Sequence, residues 1–178
     1  MKQLIDKLRE NGNLSKEEWT ALIQNRTPEL ADYVFQHARE VRELHYGKDV
    51  YIRGLMEFTN YCKNDCLYCG IRKSNGNVTR YRLTKEQILS CCESGYQLGF
   101  RTFVLQGGED GYFTDDRMLD IIQEIRNTYP DCAITLSIGE KSLETYQAFF
   151  DAGADRYLLR HETYDSAHYS KLHPASLN

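Results

Sequence analysis

Three cysteines, Cys62, Cys66 and Cys69, stand close together in the stretch CKNDCLYC. Their spacing, C-x3-C-x2-C, places three thiolates on one short segment, and thiolate is the usual ligand of an iron–sulfur cluster. Three ligands can hold three corners of a 4Fe-4S cube and leave the fourth iron free to bind a small molecule. A structural zinc site is the alternative, but it requires a fourth Cys or His at matched spacing. The histidines from His161 onward lie far along the chain and offer no such pairing, so the spacing favours the cluster.

A second group of candidate residues follows a short apolar stretch at 102–106 and reads Gly107-Gly108-Glu109-Asp110. Paired glycines let a ligand approach the backbone closely, and their amides can donate hydrogen bonds to a carboxylate. Most glycine-rich turns are only turns. The position of this one, after the strand that follows the cysteine segment, makes it a candidate ligand site, and Asp110 is predicted to cap the loop.

Polar side chains also lie at the carboxyl ends of the next two predicted strands, at 133–138 and 156–160. The hydroxyl of Ser137 can donate or accept a hydrogen bond toward a ligand, whereas Glu140 is more simply explained by the start of the next helix. Arg160 and Glu162 are two residues apart, so they point to the same side if the strand continues through them. A guanidinium suits a carboxylate, and a carboxylate suits ribose hydroxyls or an ammonium group. An internal Arg–Glu pair that braces the fold is the structural alternative.

Strands and helices alternate from residue 50 onward. Strands are predicted at 50–59, 102–106, 133–138 and 156–160, and helices are predicted to begin after Thr84, Thr114 and Ser142. Strict alternation is typical of parallel strands joined by crossover helices, and ligand sites of parallel barrels lie at the carboxyl ends of the strands. The expected fold class is therefore α/β, a partial (βα) barrel of parallel strands that corresponds to the first half of a TIM-type barrel.

The N-terminal part of the chain has only the helical period. A capping pattern at Ser15 begins one helix, and Thr27 followed by Pro28 begins another that stops at Gly47. We predict an N-terminal helical segment over residues 1–48 and the partial barrel over residues 49–178. A closed barrel of eight units needs about 250 residues, and only about 130 follow the helices. The sequence thus predicts the first half of a longer barrel, truncated before the later strands.

Composition and charge exclude several classes of function. The formal net charge of −4 argues against a general nucleic-acid binder, which needs a basic face. Apolar runs are too short to span a membrane, and the N-terminus lacks the apolar region of a secretory signal. We therefore expect a cytoplasmic protein with no membrane partner, in which cysteines are ligands or buried thiols. Cys91, Cys92 and Cys132 are predicted to be buried as small hydrophobic residues.

The cysteine spacing resembles the signature of the radical S-adenosylmethionine (SAM) enzymes. The resemblance implies that Cys62, Cys66 and Cys69 hold a 4Fe-4S cluster whose open iron binds the methionine part of SAM. One electron from the cluster would cleave the sulfonium and give a 5′-deoxyadenosyl radical. The residues expected to contact SAM are Tyr68, Gly107, Gly108, Glu109, Ser137 and Glu162. For Tyr68, which matches the aromatic residue of the signature, ordinary packing in the loop is the alternative.

Several longer stretches resemble one branch of this superfamily, the HydE-type maturases of iron-only hydrogenase. They are residues 57–70, 80–83, 104–110, 135–140, 172–174 and, above all, 152–163, which reads AGADRYLLRHET. The resemblance implies a role in building the di-iron subcluster of the hydrogenase active site, with Arg160 holding an anionic part of a small-molecule substrate. It also implies a reductant such as flavodoxin or ferredoxin, and other hydrogenase maturases as partners.

Other readings remain open from the sequence. Methylornithine synthase, biotin synthase and tyrosine-cleaving lyases share the architecture, so the fold alone does not choose the substrate. The glycine-acid loop also ends in Gly111, where the branch often has proline. A non-catalytic iron–sulfur or zinc remnant, or a half-barrel with structural cysteines, is the alternative to an enzyme.

Overall fold

Residues 1–177 are described by a computed structural model, in which the chain divides into two compact units after Tyr51. The first unit contains the helices α1 (Lys2–Asn11), α2 (Lys16–Gln24) and α3 (Pro28–Tyr46). The Ser15 hydroxyl accepts from the Glu18 amide while the Glu18 carboxylate accepts from the Ser15 amide, which is the predicted capping box. No helix of the described residues is both long enough and apolar enough to cross a membrane.

The second unit is a parallel sheet with helices on one face. Its strands are β1 (Gly54–Thr59), β2 (Thr102–Gly107), β3 (Ala133–Ser137) and β4 (Arg156–Tyr157), and they lie in the order β1-β2-β3-β4. The connecting helices are α4 (Lys85–Gln97), α5 (Asp115–Thr128) and α6 (Leu143–Asp151), and a short helix α7 (Ser166–Leu172) follows β4. All paired strands are parallel, so the predicted α/β partial barrel is confirmed.

The hydrophobic core fills the space between the sheet and its helices. Alternate residues of each strand point to it, as in Phe58 of β1, Leu105 of β2 and Leu136 of β3, all of which are buried. The helices contribute Ile88, Cys92, Met118, Ile121, Ile122, Ile125 and Phe149 to the same cluster. Burying one such side chain contributes roughly 1.5–3 kcal/mol. The opposite face of the sheet carries Leu55, Val104 and Thr135 at one register level and Glu57, Gln106 and Ser137, which line the site, two residues further on.

Capping residues set where the three connecting helices begin. The hydroxyls of Thr84, Thr114 and Ser142 each accept a hydrogen bond from the backbone amide three residues further on. These positions agree with the predicted helix starts. The loops that precede the caps therefore end at fixed points, and two of them carry candidate site residues.

Two predicted strands are shorter by several residues in the structure, the strand predicted at 133–138 ends one residue earlier, and one helix was not predicted. The strand predicted at 50–59 begins at Gly54, because β2 offers its first partner, Phe103, only there. The strand predicted at 156–160 is paired over Arg156–Tyr157 alone, because β3 ends at Ser137 and β4 has a neighbour on that side only. Helix α7 has few apolar residues to mark it in the sequence.

One cysteine lies elsewhere than predicted. Cys92 and Cys132 are buried, as expected, but Cys91 is exposed. Adjacent residues of a helix are about 100° apart, so when Cys92 faces the core beside Ile88, Cys91 faces the solvent.

Candidate functional site

A cavity of about 660 Å³ lies at the carboxyl ends of β1, β2 and β3. Every residue that the sequence assigns to a ligand lines this one cavity, namely Cys62, Cys66, Cys69, Tyr68, Gly107, Gly108, Glu109, Ser137, Arg160 and Glu162. The loops that follow successive parallel strands meet at one edge of the sheet, which is why residues 100 positions apart come together. The residues singled out in the sequence therefore share one cavity.

The cysteine loop begins directly after β1 and is shaped by hydrogen bonds to its backbone. The Cys69 amide donates to the Cys66 carbonyl over 3.0 Å. The guanidinium of Arg80 donates to four carbonyl oxygens of the loop, those of Asn60, Ile71, Arg72 and Asn75. The Arg80 guanidinium thus binds carbonyl oxygens at both ends of the loop. The three thiols between these ends are free and partly exposed.

The glycine-acid loop packs against the cysteine loop at Gly108. A Cβ atom on Gly108 would overlap with the carbonyl oxygen of Tyr61 and lie 2.7 Å from the Cβ atom of Cys62. Next to it, the Lys63 amide donates to the carbonyl of Glu109 over 2.9 Å. Glycine at 108 is therefore required by contact with the chain itself.

The Glu109 side chain is held in place from three sides. Asn64 Nδ2 donates to it over 2.8 Å, and Lys63 Nζ forms an ion pair of 2.9 Å with its other oxygen. The hydrogen bond and the charge of Glu109 raise the pKa of Lys63. A side chain at Gly139 would overlap with Glu109, and this glycine has a φ of +84°. The Glu109 carboxylate is thus fixed between the ends of β2 and β3.

Asp110 ties the same loop to the segment that follows the cysteine loop. Its carboxylate accepts from Arg82 Nε and Nη2 over 2.7 and 2.8 Å, and from the Thr59 hydroxyl and the Tyr112 amide. Burial would raise the pKa of Asp110, but these donors outweigh it and lower the pKa below its ordinary value. Asp110 therefore caps the loop, as its sequence position predicts.

A row of three polar residues crosses the sheet at the floor of the cavity. Glu57, Gln106 and Ser137 are register partners on β1, β2 and β3, and Gln106 Nε2 donates to Glu57 Oε1 over 3.2 Å. Sequence reasoning singled out only Ser137 of this row. The alternation of Met56 and Phe58 with Glu57 was the available signal, since it places Glu57 on the face away from the core.

Arg160 and Glu162 line the cavity, but an extended strand does not carry them. The last backbone hydrogen bond from this segment to β3 joins the Leu158 amide to the Leu136 carbonyl. Beyond it the chain is irregular. Glu162 has a φ of +60° and is the sole non-glycine residue in the described part of the chain with a positive φ. Such strained backbone is concentrated at functional sites.

Tyr68 lies between the second and third cysteines, and His173 packs against it. The Tyr68 hydroxyl is 3.3 Å from His173 Nε2. Tyr68 is 47% exposed, yet partial burial of its hydroxyl end, with the negative charge of Cys66 and Glu162 beside it, raises the pKa of Tyr68. Burial likewise raises the pKa of the Cys66 thiol. His173 is the site residue that the sequence indicates least, because it lies more than 100 positions beyond the last of the three cysteines.

Comparison with known proteins identifies the group to which this arrangement belongs. A family model described as Radical SAM superfamily matches residues 56–176. The chain belongs to the radical SAM superfamily. The resemblance read from the cysteine spacing is thereby confirmed, and membership of this superfamily of enzymes implies a 4Fe-4S cluster and SAM as cofactors.

Individual radical SAM proteins are similar over most of the chain. The FeFe hydrogenase maturase subunit HydE of Thermotoga maritima is 45% identical over 141 residues, which are 79% of this chain and 40% of that protein. The crystal structure of methylornithine synthase (PylB) aligns with a TM-score of 0.81 at 30% identity, over 97% of this chain and 51% of that one.

A crystal structure of HydG, a maturase of the FeFe hydrogenase, aligns with a TM-score of 0.84 at 28% identity and covers 97% of this chain and 39% of that one. The chain thus spans about half or less of the length of these radical SAM relatives.

The residues of the cavity fit the radical SAM cofactors. Among residues 1–177, no three His, Cys, Asp or Glu side chains are grouped so as to hold one metal ion. In a four-iron cluster each thiolate binds a different iron. The three sulfurs therefore need to surround the space of the cluster, and they do not need to meet at a single metal ion. The three free thiols border one cavity together with backbone amides, a carboxylate and a guanidinium, which are donors and acceptors that an amino acid and a ribose require.

Proposed function

We propose that this chain forms the cofactor-binding part of a radical SAM enzyme. The observation that carries the proposal is that the three free cysteines and all seven other candidate residues line one cavity at the carboxyl ends of β1–β3. Cys62, Cys66 and Cys69 are the proposed ligands of a 4Fe-4S cluster with one open iron. When bound and reduced, the cluster supplies the electron that cleaves the sulfonium of SAM to a 5′-deoxyadenosyl radical.

The loops of the chain bind and orient SAM in this proposal. The backbone around Gly107 and Gly108 faces the methionine part, and Glu109, fixed by Lys63 and Asn64, serves its ammonium group. Glu162 and Ser137 contact other parts of SAM.

Tyr68 lies beside the cluster and the adenine, where its ring excludes water. This role agrees with its place between two of the proposed ligands and on the wall of the cavity.

Arg160 and the two floor residues Glu57 and Gln106 are assigned to the substrate. A guanidinium in the cavity suits an anionic group of a small molecule. The similarity to HydE supports maturation of the active site of iron-only hydrogenase as the process served. We propose a small-molecule substrate, a flavodoxin or ferredoxin as reductant, and other hydrogenase maturases as partners.

A second candidate is radical SAM chemistry on a different small substrate. It is favoured by the alignment of methylornithine synthase over 97% of the chain. Both candidates use the same cofactor residues, so they differ only in what the floor of the cavity and the rest of the enzyme accept.

Electron paramagnetic resonance of the anaerobically reconstituted, dithionite-reduced chain tests the proposal, with circular dichroism to verify folding. We expect a reduced-cluster signal that changes when SAM is added. A folded chain whose cluster signal ignores SAM would contradict the assignment of this cavity to SAM and would favour an iron–sulfur protein without turnover.

A further inference from the structure

The C-terminal end of α7 lies directly against the cysteine loop. The Leu67 amide donates to the Leu172 carbonyl over 2.9 Å. The next residue, His173, is 5% exposed, and its ring stands edge-on to the ring of Tyr68 with centroids 5.5 Å apart. A helix more than 90 residues further along the chain therefore contacts the loop between two of its cysteines.

The surroundings of His173 fix which of its ring nitrogens carries the proton. Nδ1 lies 3.0 Å from the carbonyl oxygen of Tyr169, and a carbonyl oxygen only accepts hydrogen bonds. In the neutral ring Nδ1 is thus the donor and Nε2 the acceptor. The Tyr68 hydroxyl, 3.3 Å from Nε2, therefore donates to His173. Stacking on Tyr169, with ring centroids 3.9 Å apart, holds the imidazole in this orientation.

The Tyr68 hydroxyl has one proton and three acceptors nearby. Cys66 and Glu162 are the other two. In the proposed function Cys66 binds iron and Glu162 contacts SAM, so His173 is the acceptor that remains for Tyr68. We propose that His173 is a positioning residue, which orients Tyr68 and the adjoining part of the cysteine loop beside the cluster and SAM. Its effect on SAM rests on the proposed function.

Four variants of the anaerobically reconstituted chain test this role. His173→Ala keeps the wild-type iron content, because it removes no proposed ligand, and weakens SAM binding about fivefold, as the loss of one hydrogen bond would. His173→Gln, whose side-chain amide can accept from Tyr68, restores most of the affinity. Tyr68→Phe weakens binding to a similar extent, and the double variant is no weaker, because both changes remove one contact. His168→Ala, at an exposed position of α7, is the control and binds SAM like the wild type.

Backbone hydrogen exchange separates this proposal from the proposed function. In the chain without SAM, His173→Ala speeds amide exchange at Leu67–Cys69 about fivefold, because a contact that closes the loop is lost. Unchanged exchange together with unchanged SAM affinity overturns the role of His173, and so do strictly additive effects of the two single changes. A wild-type chain that does not bind SAM refutes the proposed function. The effect of His173→Ala on amide exchange at Leu67–Cys69 then decides by itself whether His173 positions the loop. If His173→Ala assembles no cluster, recovery in His173→Gln supports the proposal and its absence there overturns it.

Discussion

The residues around the cavity differ in how firmly the fold holds them. Glu109 is fixed by Lys63 and Asn64, whereas Arg160 and Glu162 are exposed and lie in an irregular segment. The three thiols are held through the backbone of their loop and make no disulfide among the described residues. Changes at these exposed side chains therefore affect ligands far more than the stability of the fold.

Cys66→Ala removes one of three proposed cluster ligands, and the remaining two cannot hold the cube. We expect the iron bound after reconstitution to fall to the background level, while circular dichroism shows helix content near that of the wild type. Cys91→Ala is the matched control, because this cysteine is exposed on α4 and borders no part of the cavity. Full iron content in Cys66→Ala would show that the ligand assignment is wrong.

Glu162→Gln keeps the size of the side chain and removes its charge. A hydrogen bond to a charged group contributes about 1.5–3 kcal/mol, so SAM affinity is expected to fall about tenfold or more. Iron content stays at the wild-type value. Titration of the cluster signal with SAM measures the affinity and iron analysis measures the iron content, with Glu10→Gln as a surface control. An unchanged affinity would assign Glu162 to a structural role.

At the scale of elements, the site depends on two loops that are fitted to each other. Gly108 places the glycine-acid loop in backbone contact with the cysteine loop, and Asp110 binds Arg82 beyond the far end of that loop. Arg82 also lies over the Tyr61 ring at 3.9 Å. Both loops must therefore be correctly folded for either to present its ligands.

Gly108→Ala forces a methyl group against the carbonyl of Tyr61. Overpacking of this kind costs about 1–3 kcal/mol, and the displaced loop is expected to assemble less cluster than the wild type. Gly111→Ala is the control in the same loop, since a Cβ there meets no atom within 4 Å. Urea unfolding and iron analysis of both variants measure the difference. Equal values for the two would mean that the close approach at Gly108 has no consequence.

Asp110→Asn weakens the contact with Arg82, whose side chain is 36% exposed while that of Asp110 is 3% exposed. We expect the free energy of unfolding to fall by about 2 kcal/mol at pH 7. The folded-state pKa of Asp110 is lowered, so its contribution is present above the unfolded pKa of about 3.9 and is lost as pH falls through the folded pKa.

The difference between wild type and Asp110→Asn therefore shrinks in acid. Urea unfolding at pH 7 and at about pH 2, below the unfolded pKa, measures it, with Asp32→Asn as a control on the exposed side of α3. A difference that is the same at both values of pH would contradict the role given to the Asp110 charge.

At the scale of the whole molecule, what the sequence predicts well is local. Short motifs can be recognised from a few neighbouring residues, as with the three cysteines, the glycine pair and capping residues such as Thr84. The alternation of strands and helices then predicts that the loops with the cysteines and the glycine pair meet at one edge of the sheet. Contacts set by register or by chain path were not visible. Glu57 required the pairing of β1 with β2, and His173 required the return of the chain after β4, where a two-residue strand gives little direction.

The pair formed by Glu57 and Gln106 bears on how such a protein can change over evolution. Each member sits on its own strand and faces away from the core, so each can be replaced without repacking a helix or moving a cofactor loop. In a sheet of this kind, substrate specificity can change during evolution while the loops proposed to bind the cluster and SAM stay the same.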